Sequence, residues 1–211
     1  MFTGLVQAIG TVAASETTPR GLRLDIDPGS WDDHRAAPGD SICISGTCLT
    51  VVDDPSLHHG RLLFDAIPET LAKTTLGELV PGSRVNLERS VTADTLMGGH
   101  MVQGHVDAIG EVTAVLTEGQ WRTTVLVPEA FTPFLVPKGS INVDGVSLTI
   151  ASAEPQGRTF DVALIPETLE RTTLADARPG TRVNLESDII ARTVVHYMQH
   201  FAKNAPTPTT A

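Results

Sequence analysis

The chain has 211 residues with a formal net charge of −10 at pH 7, and 41% of its residues are hydrophobic. This composition is ordinary for a globular protein of one large or two small domains, and its acidic balance speaks against a nucleic-acid partner. No apolar run approaches the ~20 residues of a membrane span and the first residues lack the features of a signal peptide, so we expect a cytoplasmic protein without a membrane partner.

The first half of the chain predicts about six short strands and one short helix. Alternating apolar and polar residues indicate strands near residues 5–12, 22–26, 41–45, 48–52, 61–67 and 84–88. A helical turn is expected to begin at Pro28. A short helix is expected over residues 68–77, because proline and an acid stand in its first turn and glycine follows its end.

Cys43 and Cys48 are the only cysteines, and they lie five residues apart on one apparent strand. Side chains of a strand alternate between its faces, so we expect the two thiols to point apart. That geometry argues against a disulfide between them and agrees with a reduced, cytoplasmic protein.

The second half of the chain repeats the first. Four pairs of blocks match in the same order, namely residues 101–112 with 1–12, 140–150 with 41–51, 165–174 with 67–76, and 179–186 with 81–88. This indicates a duplication into two similar domains rather than a solenoid. Short strands with frequent turns predict a small antiparallel barrel or sandwich in each half, and closure would hide the strand edges.

A tail after the second copy has no counterpart in the first half. Ile190, Val194, Tyr197 and Phe201 form one apolar stripe at helical spacing, and Asp188 stands near the helix start. The stripe packs either on its own barrel or against copies of itself in an oligomer, and we favour the oligomer. Two histidines four apart on this helix have a metal-ligand spacing, but without a third ligand we predict no metal site.

Six motifs occur in a fixed order, at residues 1–4 (Met-Phe-Thr-Gly), 48–51 (Cys-Leu-Thr-Val), 98–100 (Gly-Gly-His), 104–105 (Gly-His), 144–149 (Asp-Gly-Val-Ser-Leu-Thr) and 165–169 (Ile-Pro-Glu-Thr-Leu). Through them the chain resembles the riboflavin synthase family, alpha-chain type, over residues 1–203. The resemblance implies an all-β fold of two similar six-stranded antiparallel (Greek-key-like) barrels plus a C-terminal α-helix. The implied domains are lumazine-binding barrels at residues 1–99 and 100–187, a trimerisation helix at 188–203 and a disordered tail at 204–211.

Members of that family dismutate two molecules of 6,7-dimethyl-8-ribityllumazine. One molecule donates a four-carbon unit to the other, and the products are riboflavin and 5-amino-6-ribitylamino-uracil. The resemblance further implies a homotrimer and no metal or redox cofactor. It also implies an active site between the N-terminal barrel of one subunit and the C-terminal barrel of a neighbour, with one lumazine site in each barrel.

Matching of the motifs assigns two substrate pockets. The first barrel would use Gly4, Leu5, Val6, Cys48, Leu49, Thr50, Asp65, Ala66, Ile67, Pro68, Glu69 and Thr70. The second barrel would use Gly104, His105, Val106, Lys138, Ser147, Leu148, Thr149, Ala163, Leu164, Ile165, Pro166, Glu167 and Thr168. Glycines let the backbone approach a ring closely, and amides, hydroxyls and an apolar floor suit an uncharged heterocycle. The two Pro-Glu-Thr-Leu segments have a second interpretation, as helix starts.

The chemistry is expected at positions where the two copies differ. Cys48 aligns with Ser147, and the resemblance makes Cys48 a nucleophile or a proton handler. Its alternative role is that of a small core residue. Asp144 and Ser147 resemble the family's polar active-site pair, although Asp144 precedes a glycine and could equally serve a hairpin turn.

His105 takes the position of Leu5 in the second copy. It could relay a proton from the C7 methyl of lumazine, whose deprotonation starts the family's reaction, or hydrogen-bond across the repeat junction. His100 is interpreted as structural. Phe2 could lie over a ring or close the pocket, since its counterpart Val102 differs from it.

Two departures from the family's pattern stand out. Thr47 takes the place where relatives often carry another cysteine. Ala163 takes the place where some relatives carry a polar residue, which puts one pocket contact in doubt. The leading hypothesis is the synthase. The alternative is a non-catalytic lumazine- or flavin-binding protein built on the same duplication.

Overall fold

The computed structural model describes residues 1–31 and 35–201. The first copy contains six strands, β1 (Ala8–Thr18), β2 (Gly21–Asp27), β3 (Ser41–Ile44), β4 (Thr47–Thr50), β5 (Leu62–Ala66) and β6 (Arg84–Arg89). Helix α1 (Pro68–Lys73) and a 3₁₀ helix (Thr75–Glu78) lie between β5 and β6, where proline and an acid predict a helix start. Another 3₁₀ helix, Pro55–His58, follows β4.

The second copy repeats this order. Its strands are β7 (Ala108–Leu116), β8 (Arg122–Leu126), β9 (Ser140–Val143), β10 (Val146–Glu154), β11 (Thr159–Ala163) and β12 (Arg182–Ser187). Helix α2 (Pro166–Arg171) and the 3₁₀ helix Thr173–Asp176 repeat α1 and its successor. The helical turn expected at Pro28 is absent from residues 28–31, whereas the matching segment of the second copy is the 3₁₀ helix Glu129–Phe134.

Each copy folds into one antiparallel sheet of six strands, as the all-β prediction of two barrels requires. The second sheet closes in the order β10-β11-β8-β7-β12-β9, and the first has the matching order β4-β3-β6-β1-β2-β5. The ends of the first sheet meet through a bridge between Val51 and Phe64. This closure is short because β4 has only four residues, whereas its counterpart β10 has nine. The chain leaves the sheet soon after β4, where Asp54 caps the 3₁₀ helix that begins at Pro55.

Alternation along the strands gives each barrel its own apolar core. Leu24 and Ile26 of β2 and Phe64 of β5 fill the first core, and Val125 of β8 and Phe160 of β11 fill the second. Each of these side chains is at most 1% exposed, and such burial stabilises the fold by about 1.5–3 kcal/mol per large side chain.

The two cysteines face each other across the β3–β4 hairpin. The prediction that they share a strand and point apart is wrong, because Ser45 and Gly46 turn the chain and bring Cys43 opposite Cys48. Both turn residues have positive φ, +42° and +84°, a conformation that favours glycine. The two thiols are free.

The barrels pack against each other through a symmetric set of buried hydrogen bonds. Asn86 of β6 donates to the carbonyl of Asp144 at 2.8 Å, and Asn184 of β12 donates to the carbonyl of Ser45 at 2.7 Å. The Oδ1 atom of each asparagine accepts a backbone N–H at the start of the opposite copy's 3₁₀ helix, at 2.8 Å. Because buried amides must find partners, these contacts define one relative orientation of the two barrels.

Helix α3 (Ile189–His200) follows β12, as predicted for the tail. The carboxylate of Asp188 caps it by accepting the N–H groups of Ile190 and Ala191 at 2.8 and 3.2 Å. The apolar stripe does not pack on its own barrel, since Ile190 is 71% and Tyr197 57% exposed. The predicted tail at 204–211 lies outside the described residues. No helix within the described ranges is long and apolar enough to cross a membrane.

Candidate functional site

Two short arms cross between the barrels. The first arm is residues 2–6, before β1, and the second arm is residues 102–106, before β7. The carbonyl of Gly4 accepts the N–H of Ser147 in β10 at 2.7 Å, and the carbonyl of Gly104 accepts the N–H of Cys48 in β4 at 2.9 Å. Each candidate reactive side chain therefore lies beside the arm of the other copy.

This exchange corrects the predicted composition of the pockets. The motifs group residues 4–6 with Cys48 and residues 104–106 with Ser147, but the structure pairs them the other way round. The reason lies in hydrogen bonding. In each arm, a glutamate of the same barrel accepts the N–H of the glycine, and the carbonyl of that glycine accepts an N–H of the opposite barrel.

The two glutamates hold the arms symmetrically. Glu88 of β6 accepts the N–H groups of Thr3 and Gly4 at 2.7 and 3.0 Å, and Glu186 of β12 accepts those of residues 103–105 at 2.7, 2.9 and 3.1 Å. Burial raises the pKa of both carboxyls, and the donated N–H groups oppose that rise. Sequence reasoning missed both residues. The signal was their identical place in the repeated strand Arg-Val-Asn-Leu-Glu.

Both the backbone conformation and the lack of space require glycine at positions 4 and 104. Gly4 and Gly104 have φ values of +73° and +77°. A Cβ atom on either would lie 2.6 Å from the Cβ of Ser147 or Cys48, respectively. A larger residue would therefore be strained and would push the arm off the strand.

A cavity of about 320 Å³ lies beside Ser147. It is lined by residues 4–6 of the first arm, by β10, and by Glu167, Thr168 and Arg171 of α2. We call this the Ser147 half-site. The residues that correspond to these by the repeat are Cys48, the second arm, whose Gly104 carbonyl accepts the Cys48 N–H, and α1. We call this set the Cys48 half-site.

His100 belongs to the Ser147 half-site, although the sequence suggested a structural role. Its Nδ1 lies 2.7 Å from Oγ of Ser147, and burial lowers its pKa, which favours the neutral imidazole. Its Nε2 is buried without a partner among the described residues. A neutral imidazole in this position can accept the serine proton. The sequence signal for this contact was the glycine before His100. In the structure, a Cβ atom on Gly99 would lie 2.9 Å from the Cβ of Ser147.

Cys48 is half-buried and packs against the cluster of Phe2, Cys43 and Val102. Burial raises the pKa of the Cys43 thiol well above its ordinary value. Since the thiolate is the reactive form, Cys43 is inert and Cys48 is the accessible thiol of this region.

Phe2 does not reach a pocket. It has no exposed surface, and it pairs with Val102 between the arms. The expectation that it lies over a ring is wrong. Its difference from Val102 has a packing reason, because one large and one small side chain fill a space that both copies share.

Asp144 is not brought together with Ser147. It lies in the β9–β10 turn with φ +48°, and its Oδ1 accepts the N–H of Asn184 at 2.7 Å. It lines another cavity, of about 510 Å³, between the barrels. Burial raises its pKa to about 7. The hairpin-turn interpretation fits this placement.

Two further polar candidates are exposed. His105 lies on the second arm, and only its backbone is held, by Glu186 at 3.1 Å. Lys138 precedes β9 with φ +66°, and its N–H bonds to the carbonyl of Ile150 at 2.8 Å. Neither side chain is engaged by another residue in the described part of the chain, so both are free to meet a ligand.

The predicted site residues on the strands fall into a buried and an exposed group, because side chains alternate between the two faces of a strand. Four of them point into the barrel cores, at most 9% exposed, and offer a ligand only their backbone: Leu49, Ala66, Leu148 and Leu164. The threonines at the ends of the matched strand motifs, Thr50 and Thr149, are exposed.

The remaining predicted residues lie at the strand ends and helix starts. Asp65 is held by Arg23 through bonds of 2.8 and 2.9 Å. Ala163 stands opposite Arg122, which bonds to Asp161 instead. Exposed residues at the two helix starts are Ile67, Pro68, Glu69, Ile165, Pro166 and Glu167, and Thr70 and Thr168 are half-buried.

The two histidines of α3 are not joined by a third potential metal ligand in the described part of the chain. His196 and His200 have ring centroids 4.6 Å apart. Within residues 1–31 and 35–201, no three His, Cys, Asp or Glu side chains gather closely enough to hold a metal ion.

Both copies match one known domain, the lumazine binding domain, at residues 3–90 and 103–188. The chain is 46% identical over 201 residues to riboflavin synthase of Mycobacterium tuberculosis (strain ATCC 25618 / H37Rv), covering 94% of this chain and 98% of that one. It is 37% identical over 208 residues to riboflavin synthase of Bacillus subtilis (strain 168), covering 97% and 91%. A crystal structure of LumP complexed with 6,7-dimethyl-8-(1'-D-ribityl) lumazine has the same fold, with a TM-score of 0.78, 23% identity and coverage of 89% and 99%. The chain therefore belongs to the riboflavin synthase family.

Proposed function

We propose that this chain is a riboflavin synthase. It takes two molecules of 6,7-dimethyl-8-ribityllumazine, moves a four-carbon unit from one to the other, and releases riboflavin and 5-amino-6-ribitylamino-uracil. It is an enzyme of the transferase class. The observation that carries this function is the pair of equivalent half-sites, each with a candidate reactive side chain at the same position of a strand and the same kind of arm across it.

Two similar half-sites suit a reaction between two identical molecules. Holding both rings in reacting geometry removes the entropic cost of their encounter, which is worth up to ~7–11 kcal/mol. Threonine hydroxyls and apolar side chains beside the arms match a neutral heterocycle with a polyol chain.

The half-sites differ in their reactive groups, and this difference assigns roles. Cys48 contacts one lumazine and acts as a nucleophile or proton handler. Ser147 contacts the other, oriented by His100 at 2.7 Å. His105 is the candidate base for the C7 methyl, since its imidazole is exposed on the second arm and can reach a ligand there. Phe2 and Asp144, both placed in the inter-barrel contact, act through packing rather than by touching substrate.

The alternative function is that of a lumazine or flavin carrier, because the chain shares its fold with LumP, whose structure contains a bound lumazine. The test incubates the purified protein with 6,7-dimethyl-8-ribityllumazine alone and follows riboflavin by absorbance and chromatography. Stoichiometric formation of riboflavin and 5-amino-6-ribitylamino-uracil supports the synthase. Tight lumazine binding without riboflavin would establish the carrier instead.

We further propose a cytoplasmic homotrimer with active sites between subunits, divided into barrels at 1–99 and 100–187 and a trimerisation helix from residue 188. The exposed stripe of α3 supports this assembly, because 55–71% of each of its large apolar side chains is open to solvent. Removal of residues 188–211 should give monomers in sedimentation velocity, whereas an intact trimer after truncation would contradict the role of α3.

A further inference from the structure

Helix α3 contacts the second arm through the side chain of Arg192. Its Nη1 donates to Oδ1 of Asp107 at 2.6 Å, and its Nη2 donates to Oε1 of Gln103 at 3.0 Å. Nη2 also lies 3.9 Å from Oε1 of Glu186. One guanidinium thus bridges α3, the second arm and β12.

These contacts continue to Cys48 in two steps. Glu186, which Arg192 faces, accepts the N–H groups of residues 103–105. The carbonyl of Gly104 then accepts the N–H of Cys48 at 2.9 Å. Asp107 is itself fixed, because its Oδ2 accepts the N–H and Oγ–H of Ser187 at 2.8 and 2.7 Å. The path from α3 to the Cys48 half-site therefore combines an ion pair of 3.9 Å between Arg192 and Glu186 with hydrogen bonds from Glu186 to the arm and from the arm to Cys48.

The first arm has no equivalent support. The repeat aligns Arg192 with Asp94, which lies on the segment between the barrels and accepts a hydrogen bond from Thr92. It aligns Asp107 with Gln7, whose Oε1 accepts the N–H of Arg89 at 2.8 Å. In the described part of the chain, no arginine forms an ion pair with Glu88 as Arg192 does with Glu186.

Removal of the guanidinium would leave the second arm among unpaired charges. The side chains of Arg192, Asp107 and Glu186 are 25%, 18% and 2% exposed. Their charges are therefore weakly screened, and loss of the cation would leave two neighbouring carboxylates without a compensating positive charge. The arm would then be held by fewer bonds against β4.

We propose that Arg192 is a positioning residue of the Cys48 half-site, which thereby depends on this side chain of the tail helix while the Ser147 half-site does not depend on Arg192. This deepens the proposed function, on which it rests, by giving the two lumazine sites different structural supports.

The test compares Arg192→Met with the wild type and with Arg178→Met, which removes an exposed guanidinium of the second barrel. Titration with 6,7-dimethyl-8-ribityllumazine should show one of two sites weakened about tenfold in Arg192→Met, with the other changed less than about twofold. Alkylation of Cys48 by iodoacetamide, followed by peptide mass, should become about tenfold faster, since Gly104 no longer covers it. Arg192→Lys should restore part of both properties, and Arg178→Met should match the wild type.

Equal weakening of both lumazine sites, or of neither, would overturn the proposal, as would unchanged Cys48 alkylation. Circular dichroism and sedimentation check that Arg192→Met is folded and assembled. If it is not, Arg192→Lys decides by the same criteria, because it keeps the charge but lacks the planar guanidinium fork that bonds to Asp107 and Gln103 together. The alkylation rate needs no turnover, so it tests Arg192 even if the wild type makes no riboflavin.

Discussion

Substitution of Gly104 by alanine should damage the Cys48 half-site far more than an alanine in an open turn would. At φ +77° the new side chain is in the left-handed region, which costs about 1–2 kcal/mol for a residue other than glycine. Its Cβ would lie 2.6 Å from the Cβ and 2.8 Å from the backbone nitrogen of Cys48. Overpacking of this kind costs about 1–3 kcal/mol.

The strand backbone cannot move aside, so the arm must. That displacement lengthens the hydrogen bond from Cys48 N–H to the Gly104 carbonyl, now 2.9 Å, and adds about 1 kcal/mol. Gly180 is the matched control, because it has φ +92° and a Cβ atom added there would meet nothing within 4 Å. Gly180→Ala carries the backbone strain alone, and the difference between the two variants should be about 2–4 kcal/mol.

The assay is urea unfolding of both variants beside a lumazine titration. Gly104→Ala should lower the free energy of unfolding more than Gly180→Ala does, and should weaken one lumazine site selectively. Equal destabilisation by the two substitutions, or two intact lumazine sites in Gly104→Ala, would refute the packing of the second arm on Cys48.

Three other substitutions test separate parts of the site. Cys48→Ala should reduce turnover more than lumazine affinity, and wild-type turnover in this variant would make Cys48 a core residue only. In the wild type, iodoacetamide should label Cys48 but not the buried Cys43. His100→Gln should lower kcat about 100-fold with KM changed less than about threefold, because Ser147 loses its partner, whereas a matching rise in KM with unchanged kcat would point to binding alone. Asp144 has a folded pKa of about 7, above that of the unfolded chain. Its contribution to stability is therefore present below about pH 4 and is lost as the pH rises to 7. Asp144→Asn should flatten the dependence of the unfolding free energy on pH between about 4 and 7, and an unchanged slope would show that this carboxyl is already ionised in the folded protein.

Much of the local architecture could be predicted from the sequence. The repeated blocks predicted two similar all-β units, and proline followed by an acid placed the starts of α1 and α2 correctly. The cap at Asp188 and the stripe after it predicted α3. These features depend on hydrogen bonds and periodicities within a few residues, so a single stretch of chain contains their cause.

The composition of each half-site was decided only by the tertiary structure. The sequence alone determined that Cys48 and Ser147 are equivalent, but not which arm lies beside each of them. In the exchanged arms, Glu88 and Glu186 accept the N–H groups of Gly4 and Gly104, and the carbonyls of these glycines accept N–H groups of the opposite barrel. The bond from Ser147 to Gly4 joins residues far apart in the chain, and no local pattern records which distant strand edge is free when two similar barrels meet.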